Sequence, residues 1–438
     1  MKLLHAADLH IDSPLRGLAR YEGAPAEEIR EAARRAVENL VELALAEGVD
    51  AVLLAGDIYD GEWKDYHTGL FFTAQMRRLH EAGVRVLLVA GNHDAASRIT
   101  RELRLPENVY RFSTARPETA VFEDIGLAVH GQGFAVRDVT DNLAVNYPAP
   151  RGGLFNVGLL HTALTGASSE HATYAPCSVG DLVSRGYDYW ALGHVHQREV
   201  VHEAEPWIVF PGNVQGRHAR ETGPKGATLI TVDANGRATI EHRDLDVVRW
   251  ARLDVDAAGA RDVEDVLDRV RRRMVDARGD AGRRLLATRV RITGATDVHE
   301  ALWRDERRFV FETRALAGEF QDVWLEKVRL ETRHVDLADT GLELPALVED
   351  LGRTARALRA DPTALEQLVR GIPGIKGLDA KVAEEGIAPE DAAWRSDIFD
   401  RAVDLLTAMI SGPGGTGGSD VADVADRATG ADTAGGRG

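Results

Sequence analysis

A chain of 438 residues exceeds what one simple core supports, so two domains with appendages are expected. An apolar fraction of 44% is that of a globular protein with a proper interior, and the single cysteine, Cys177, excludes an intrachain disulfide and suits a reducing cytosol. A formal charge of −17 argues against a protein that coats nucleic acid through bulk electrostatics, yet it leaves a nuclease open, because a metal centre makes its own local positive field.

The first apolar run, Leu3 to Ala7, reaches Asp8 and His10 too soon for the apolar region of a signal peptide. No uninterrupted apolar run approaches the roughly 20 residues that span a bilayer, so a cytoplasmic protein without a membrane partner is expected. The clearest helix covers 27–46, with Ile29, Ala33, Val37, Leu40 and Leu43 or Ala44 at helical spacing and Gly48 ending it. A strand over 50–55 follows, then a helix over 68–81 stopped by Gly83, then a strand over 84–90. This β-α-β-α-β order predicts a parallel core. Beyond Ala115, short strands at 120–122, 127–130, 208–210, 227–232 and 238–243 lie between turn residues, as in a mixed or antiparallel sheet.

A second unit begins near Val247. A strand over 250–255, a charged helix over 262–277 and a strand over 285–292 predict a small α+β module within 247–340. The stretch 341–410 reads as mostly helical, interrupted at Gly371-Ile372-Pro373-Gly374. From Ser411 to Gly438 large apolar residues almost vanish, so burial cannot offset ordering entropy and a disordered tail is expected.

Five strand-like runs each end in a metal-binding side chain. The endings are Asp8-Leu9-His10, Gly56-Asp57-Ile58-Tyr59-Asp60, Gly91-Asn92-His93-Asp94, His161 and Gly193-His194-Val195-His196. Functional groups gather at the carboxyl ends of strands in such sheets, so these residues predict a convergent metal site. Oxygen and nitrogen donors suit manganese, iron or zinc. A pair of ions needs a bridging ligand, and Asp57 is the best carboxylate for that. Two divalent ions balanced by Asp8, Asp57 and a bridging hydroxide keep about one net positive charge, matched to a phosphodiester anion, with the hydroxide as nucleophile. His93 is placed to protonate the leaving oxygen, and Asp60 could hold it in the right tautomer. Arg217 and His218 follow a glycine-rich turn and could reach substrate phosphate. His5, His67, His80, His130 and His171 read as structural or exposed, Asp12 and Asp94 as local loop residues, and the arginine-rich run 269–273 as a solvated helix face.

The ordered set DxH, GDxxD, GNHD, lone His and GHxH resembles the calcineurin-like metallophosphoesterases, over Met1 to about Arg220. The opening Ala7-Asp8-Leu9-His10-Ile11-Asp12-Ser13-Pro14-Leu15 is similar to bacterial DNA-repair exonucleases of the SbcD and YhaO type. Phe210-Pro211-Gly212-Asn213-Val214-Gln215-Gly216-Arg217-His218 looks more like the YhaO branch. The resemblance implies an α/β fold, a four-layer α/β/β/α sandwich over 1–246, with a small α+β capping domain (247–340) and a helical C-terminal region. It implies two divalent ions, Mn2+ by family habit, one on Asp8, His10, Asp57 and His196 and the other on Asp57, Asn92, His161 and His194. It further implies DNA as substrate and an SMC-like coiled-coil ATPase as partner, docked by 341–410. The chain has no Gly-Lys-Ser or Gly-Lys-Thr phosphate loop, so an ATP-driven step must come from elsewhere. The expected function is a metal-dependent DNA exonuclease in repair. Its rivals are a phosphoesterase for nucleotides or other small phosphorylated molecules, and a metal-bound scaffold for an ATPase. The sequence is also compatible with a homodimer.

Overall fold

Leu3 and Leu4 point to opposite faces of one strand, and both are apolar, so the strand has to be covered on both sides. In the computed structural model it lies inside a six-stranded sheet, in the order Ala238–Asp244, Gly226–Val232, Lys2–Ala6, Ala51–Leu54, Arg85–Leu88, Val109–Arg111. The structure describes residues 1–14, 24–60, 66–95, 104–164, 174–333 and 344–371, with isolated helical positions between 392 and 406. The last four strands of this sheet run parallel. A second six-stranded sheet has the order Glu118–Phe122, Leu127–Gly131, Phe155–His161, Tyr189–Gly193, Trp207–Phe210, Glu199–Glu203. Its four inner strands are parallel and both of its edges antiparallel.

Alternate side chains divide the interior into layers. Leu4, Ala6, Val52, Leu54, Val86 and Leu88 pack against Val37, Leu40 and Ala44 of the helix Ala26–Glu47 and Phe72, Met76 and Leu79 of the helix His67–Glu81. Leu3, Leu53 and Leu87 meet Val129, Val157, Leu159 and Ala191 between the sheets. Leu160, Trp190, Leu192, Ile208 and Phe210 form the outer face of the second sheet, covered by Tyr147, Leu182 and Tyr187. The outer layer there is thin. Among the described residues it comprises the short helix Val179–Val183 and the 3-10 turn Ala144–Asn146.

Two strands, Val109–Arg111 and Glu199–Glu203, carry no apolar alternation and are not legible in the sequence. Both are sheet edges, formed because a neighbour offers backbone hydrogen bonds rather than because their side chains need burial. After residue 247 a three-stranded sheet has the order Val248–Asp256, Leu285–Ala295, Val323–Arg333. Its helix Val263–Ala281 runs past the expected end at 277, because Ala281 is buried and Gly282 supplies the positive-φ stop. The helices His299–Arg304 and Glu306–Gly318 and the third strand are additions to the expected module. On its arginine-rich run, Arg269 pairs with Asp265 and Arg271 with Glu319.

The chain divides into two compact units. The larger contains Met1–Asp256, Arg261–Ile292 and Ala301–Leu330; the smaller contains Ala257–Ala260, Thr293–Glu300 and Glu331–Gly438. In the smaller one the helices Leu344–Ala360 and Pro362–Gly371 pack on each other, with Asp361 capping the second through the amides of Thr363 and Ala364. The predicted break at 372–374 and the tail from Ser411 lie outside the described residues. Among those described, no helix is long and apolar enough to cross a membrane.

Candidate metal centre

The parallel strands of the two sheets deliver their carboxyl ends to one place. Asp8 and His10 follow Lys2–Ala6, Asp57 and Asp60 follow Ala51–Leu54, and Asn92 and His93 follow Arg85–Leu88. From the second sheet His161 closes Phe155–His161, while His194 and His196 follow Tyr189–Gly193. The turns that present them are laced together by Asp8 N–H to Gly56 O (3.0 Å), His10 N–H to Asp57 O (3.1 Å) and His194 N–H to Asp8 Oδ2 (3.0 Å). Glycine is required where the turns meet: a Cβ on Gly91 would stand 2.3 Å from Asp57 Oδ1, and one on Gly193 only 1.9 Å from Ala55 O.

Backbone strain concentrates here. Among the described residues six non-glycines have positive φ, and four are Asp8 (52°), His10 (42°), Asp57 (52°) and His194 (105°). Each such conformation costs on the order of 1–3 kcal/mol and persists only where the surroundings over-determine it.

The donor atoms are arranged as ligands rather than as hydrogen-bond partners. His161 Nδ1 lies 2.9 Å from Ala55 O, so that nitrogen carries the proton and Nε2 is a bare lone pair. Yet Nε2 faces Asn92 Oδ1 at 2.9 Å and Asp57 Oδ2 at 3.5 Å. With Asn92 Oδ1 in that position all three are acceptors, a contact that a cation between them resolves. On the other side His10 Nε2 and His196 Nε2 stand 3.1 Å apart, and His10 Nδ1 is buried without a hydrogen-bond partner among the described residues. The ligand atoms of Asp8, His10 and His196 lie within 4.8 Å of one another, as do those of Asp8, Asp57 and His161. His194 packs edge-on to His161, ring centroids 5.2 Å apart.

Electrostatics agree. Burial, then the charge of Asp57, holds the Asp8 carboxyl well above its ordinary range, and burial raises Asp57 to about 6. Burial likewise pushes His161 down to about 3 and His10 well below its usual value. The buried carboxylates of Asp8 and Asp57 repel each other with Arg217 as a partial counter-charge, and burial holds the His10 and His161 imidazoles neutral, an environment that binding divalent cations would relieve.

His93 and Asp60 stand beside this cluster as a pair. His93 Nδ1 lies 2.8 Å from Asp60 Oδ1, and Ser13 Oγ donates to Asp60 Oδ2 at 2.6 Å. Burial opposes a charged His93, but the Asp60 hydrogen bond and the charges of Asp57 and Asp60 outweigh it and raise its pKa. Burial also opposes ionised Asp60, yet the His93 and Ser13 hydrogen bonds carry it down to about 2. Although His10, Asp60 and His93 satisfy the spacing for a metal, the Nδ1 of His93 is engaged by Asp60. The His93 side chain is 30% exposed, whereas those of His10, Asp57 and His161 are at most 2% exposed. Arg217 Nη1 comes within 3.6 Å of Asp60 Oδ2, and His218 lies at the rim, 48% exposed.

Two residues act differently from, or beyond, what their sequence position shows. Asp94 is no local loop residue: it accepts from Gly91 N (3.0 Å), Ile58 N (3.0 Å) and Tyr59 N (3.1 Å), tying the second turn to the third. Burial, then the charge of Asp57, raises it to about 7 against these three amides. Asp94→Ala strands buried amides and is expected to cost about 3 kcal/mol in urea unfolding; a loss under about 0.5 kcal/mol, the level of a neutral surface change, removes the hub role. Glu221 also contacts the cluster, through His196 Nδ1 at 2.8 Å. Its one sequence signal is an acidic side chain four residues after Arg217.

A profile of the calcineurin-like phosphoesterases matches residues 1–198, and one of the middle domain of metallophosphoesterase YhaO matches 250–333. A Bacillus subtilis (strain 168) protein described as an uncharacterized metallophosphoesterase YhaO is 36% identical over 283 residues, 62% of this chain and 69% of that protein. The chain belongs to the calcineurin-like metallophosphoesterases. The sandwich of two mixed sheets is the fold of that family, and the chain is accordingly a hydrolase of phosphate esters. Family members work with a dimetal centre, and the donor set here fits one. The DNA double-strand break repair protein Mre11 of Methanopyrus kandleri is 26% identical over 305 residues, 62% of this chain and 63% of that protein. The SbcD component of the nuclease SbcCD from Rhodobacter capsulatus is 38% identical over 114 residues, a quarter (25%) of each protein.

Proposed function

We propose that this metallophosphoesterase is a manganese-dependent DNA exonuclease that acts in DNA repair, in the cytoplasm, with an SMC-like coiled-coil ATPase. The observation that carries the reading is the pair of acceptor sets, His161 with Asn92 and His10 with His196, both reaching Asp57 Oδ2 (3.5 Å from His161 Nε2, 3.9 Å from His10 Nε2), with the Asp60–His93 pair beside them. The repair and nuclease names of the relatives favour DNA among phosphate esters. In this reading residues 1–246 carry the chemistry, 247–340 cap it and 341–410 dock the ATPase.

Asp8, His10, Asp57 and His196 would hold one ion, and Asp57, Asn92, His161 and His194 the other. Two divalent ions bound there supply Lewis acidity toward phosphate oxygens and a nucleophile at neutral pH. The side chains around them do the rest. His93, with Nδ1–H given to Asp60 and a raised pKa, holds a second proton at Nε2 for the leaving oxygen of the scissile bond. Asp60 fixes the ring and balances its charge. Arg217, whose guanidinium lies between Asp60 and Glu221, and His218 at the rim are the groups for the substrate phosphates. The acidic whole does not attract DNA, so its capture rests on this local field.

The test is Mn2+-dependent digestion by the full chain of end-labelled single- and double-stranded DNA, closed circular DNA and bis-p-nitrophenyl phosphate. Stepwise shortening of linear DNA with circles intact, stopped by EDTA, is the expected result. Turnover of the small ester with every DNA untouched, also in the presence of the ATPase, sinks the DNA reading.

A further inference from the structure

His196 is held from behind by a buried carboxylate. Its Nδ1 lies 2.8 Å from Glu221 Oε1 and, because an ionised carboxylate can only accept, Nδ1 carries the proton and Nε2 is left as a lone pair. That lone pair is the one that faces His10 Nε2 at 3.1 Å. Arg217 Nη2 is 3.2 Å from both His196 Nδ1 and Glu221 Oε1; since it and the protonated Nδ1 are both donors, they converge on the carboxylate oxygen. Glu221 Oε2 accepts from Asn213 Nδ2 and from Arg217 N, each at 2.8 Å. Both Glu221 oxygens therefore face obligatory donors, Asn213 Nδ2 and Arg217 N on one and Arg217 Nη2 on the other, which leaves acceptance as the role of this carboxylate.

The loop carrying this carboxylate is itself fixed. Gln215 Nε2 donates to Val248 O at 2.6 Å, the Gln215 Oε1 accepts from Val247 N at 2.9 Å, and Trp250 Nε1 donates to Gly216 O at 3.0 Å. A Cβ on Gly216 would stand 2.7 Å from Glu221 O, so the loop closes only with glycine there. Glu221 is thus a rigid, fully engaged acceptor placed behind one candidate ligand and, through Arg217, beside Asp60.

We propose that Glu221 is a positioning residue: it fixes His196 in the Nδ1–H tautomer with Nε2 toward the one metal position that His10 also faces, and it holds Arg217 between itself and Asp60. This rests on the metal reading above. A carboxylate behind a ligand histidine sets its orientation and raises its basicity, and losing one typically weakens the metal about 10–100-fold.

The experiment uses the full chain with 15N-labelled histidine, metal-free, as wild type, Glu221→Ala and Glu221→Gln. Ring-nitrogen NMR reads the His196 tautomer, and calorimetric Mn2+ titration reads each site. In wild type His196 is expected as Nδ1–H. Glu221→Ala is expected to release it toward Nε2–H and to weaken one of two Mn2+ sites about 10–100-fold, leaving the other at its wild-type value. Glu221→Gln keeps an acceptor, so it should restore the tautomer and recover only part of the affinity. An unchanged tautomer in Glu221→Ala overturns the proposal, and so does equal weakening of both sites. Should the alanine chain fail to fold, full affinity at both sites in Glu221→Gln overturns it. If wild type binds no Mn2+, the metal reading fails, while the tautomer comparison still decides whether Glu221 orients His196.

Discussion

Asp57→Asn is expected to lose about 10³-fold or more in phosphodiesterase turnover, because the divalent ions that Asp57 would help to hold would supply several kcal/mol of transition-state charge stabilisation. Asparagine is the sharper probe than alanine. Asp57 sits at φ 52°, a conformation asparagine tolerates and alanine does not, so the amide removes the charge without adding strain. The turn should survive the change to asparagine, since its Oδ1 can still accept from the His93 amide, the amides of Ile58 and Tyr59 are held by Asp94 and the His10 amide by the Asp57 backbone carbonyl. Removing the charge also relieves repulsion with Asp8, so the metal-free variant should melt no lower than wild type in EDTA. Mn2+ is expected to raise the melting temperature of wild type by binding only the folded state, and this gain should largely vanish in the variant. Wild-type turnover, or an undiminished Mn2+ shift, ends the two-ion reading.

His93→Ala should cost about 10²–10⁴-fold in kcat on DNA, the range for a lost general acid. Its Mn2+ affinity should stay at the wild-type level, because Nδ1 is bound to Asp60 and the ring stands outside the sets formed by Asp8, Asp57, His10, His161 and His196. The leaving group discriminates the mechanism. A nitrophenolate departs without a proton, so bis-p-nitrophenyl phosphate should suffer far less than DNA, whose alkoxide needs one. Asp60→Asn should follow the same pattern more weakly, because the amide keeps an acceptor for His93 Nδ1 but no longer balances the charge of the ring. Equal losses on both substrates, or a fall in Mn2+ affinity, would sink the acid role.

The phosphoesterase half is legible because its cues are local. An apolar run of four to seven residues followed by Asp, Asn or His announces both a buried strand and a functional strand end, and the ordering of five such ends already selects a family. The helix 26–47 announces itself by spacing and by Gly48, which takes the left-handed cap at φ 61°. Illegible elements have weak or shared cues. The edges Val109–Arg111 and Glu199–Glu203 bury little of their own, so no side-chain period marks them.

Within the site the division follows distance along the chain. Residue types alone named the donors Asp8, His10, Asp57, Asn92, His161, His194 and His196 and the companions His93 and Asp60, since metal and proton chemistry restrict which side chains can serve. What each atom faces depends on pairs such as His194 and Asp8, 186 positions apart, or His161 and Asn92, 69 apart. Only the folded chain decides that Asp94 ties two turns together, that Glu221 stands behind His196, and that lone pairs are aimed at one another. Hydrogen-bond direction and tautomer are set by partners that sequence leaves unspecified until the sheets bring them within about 3 Å.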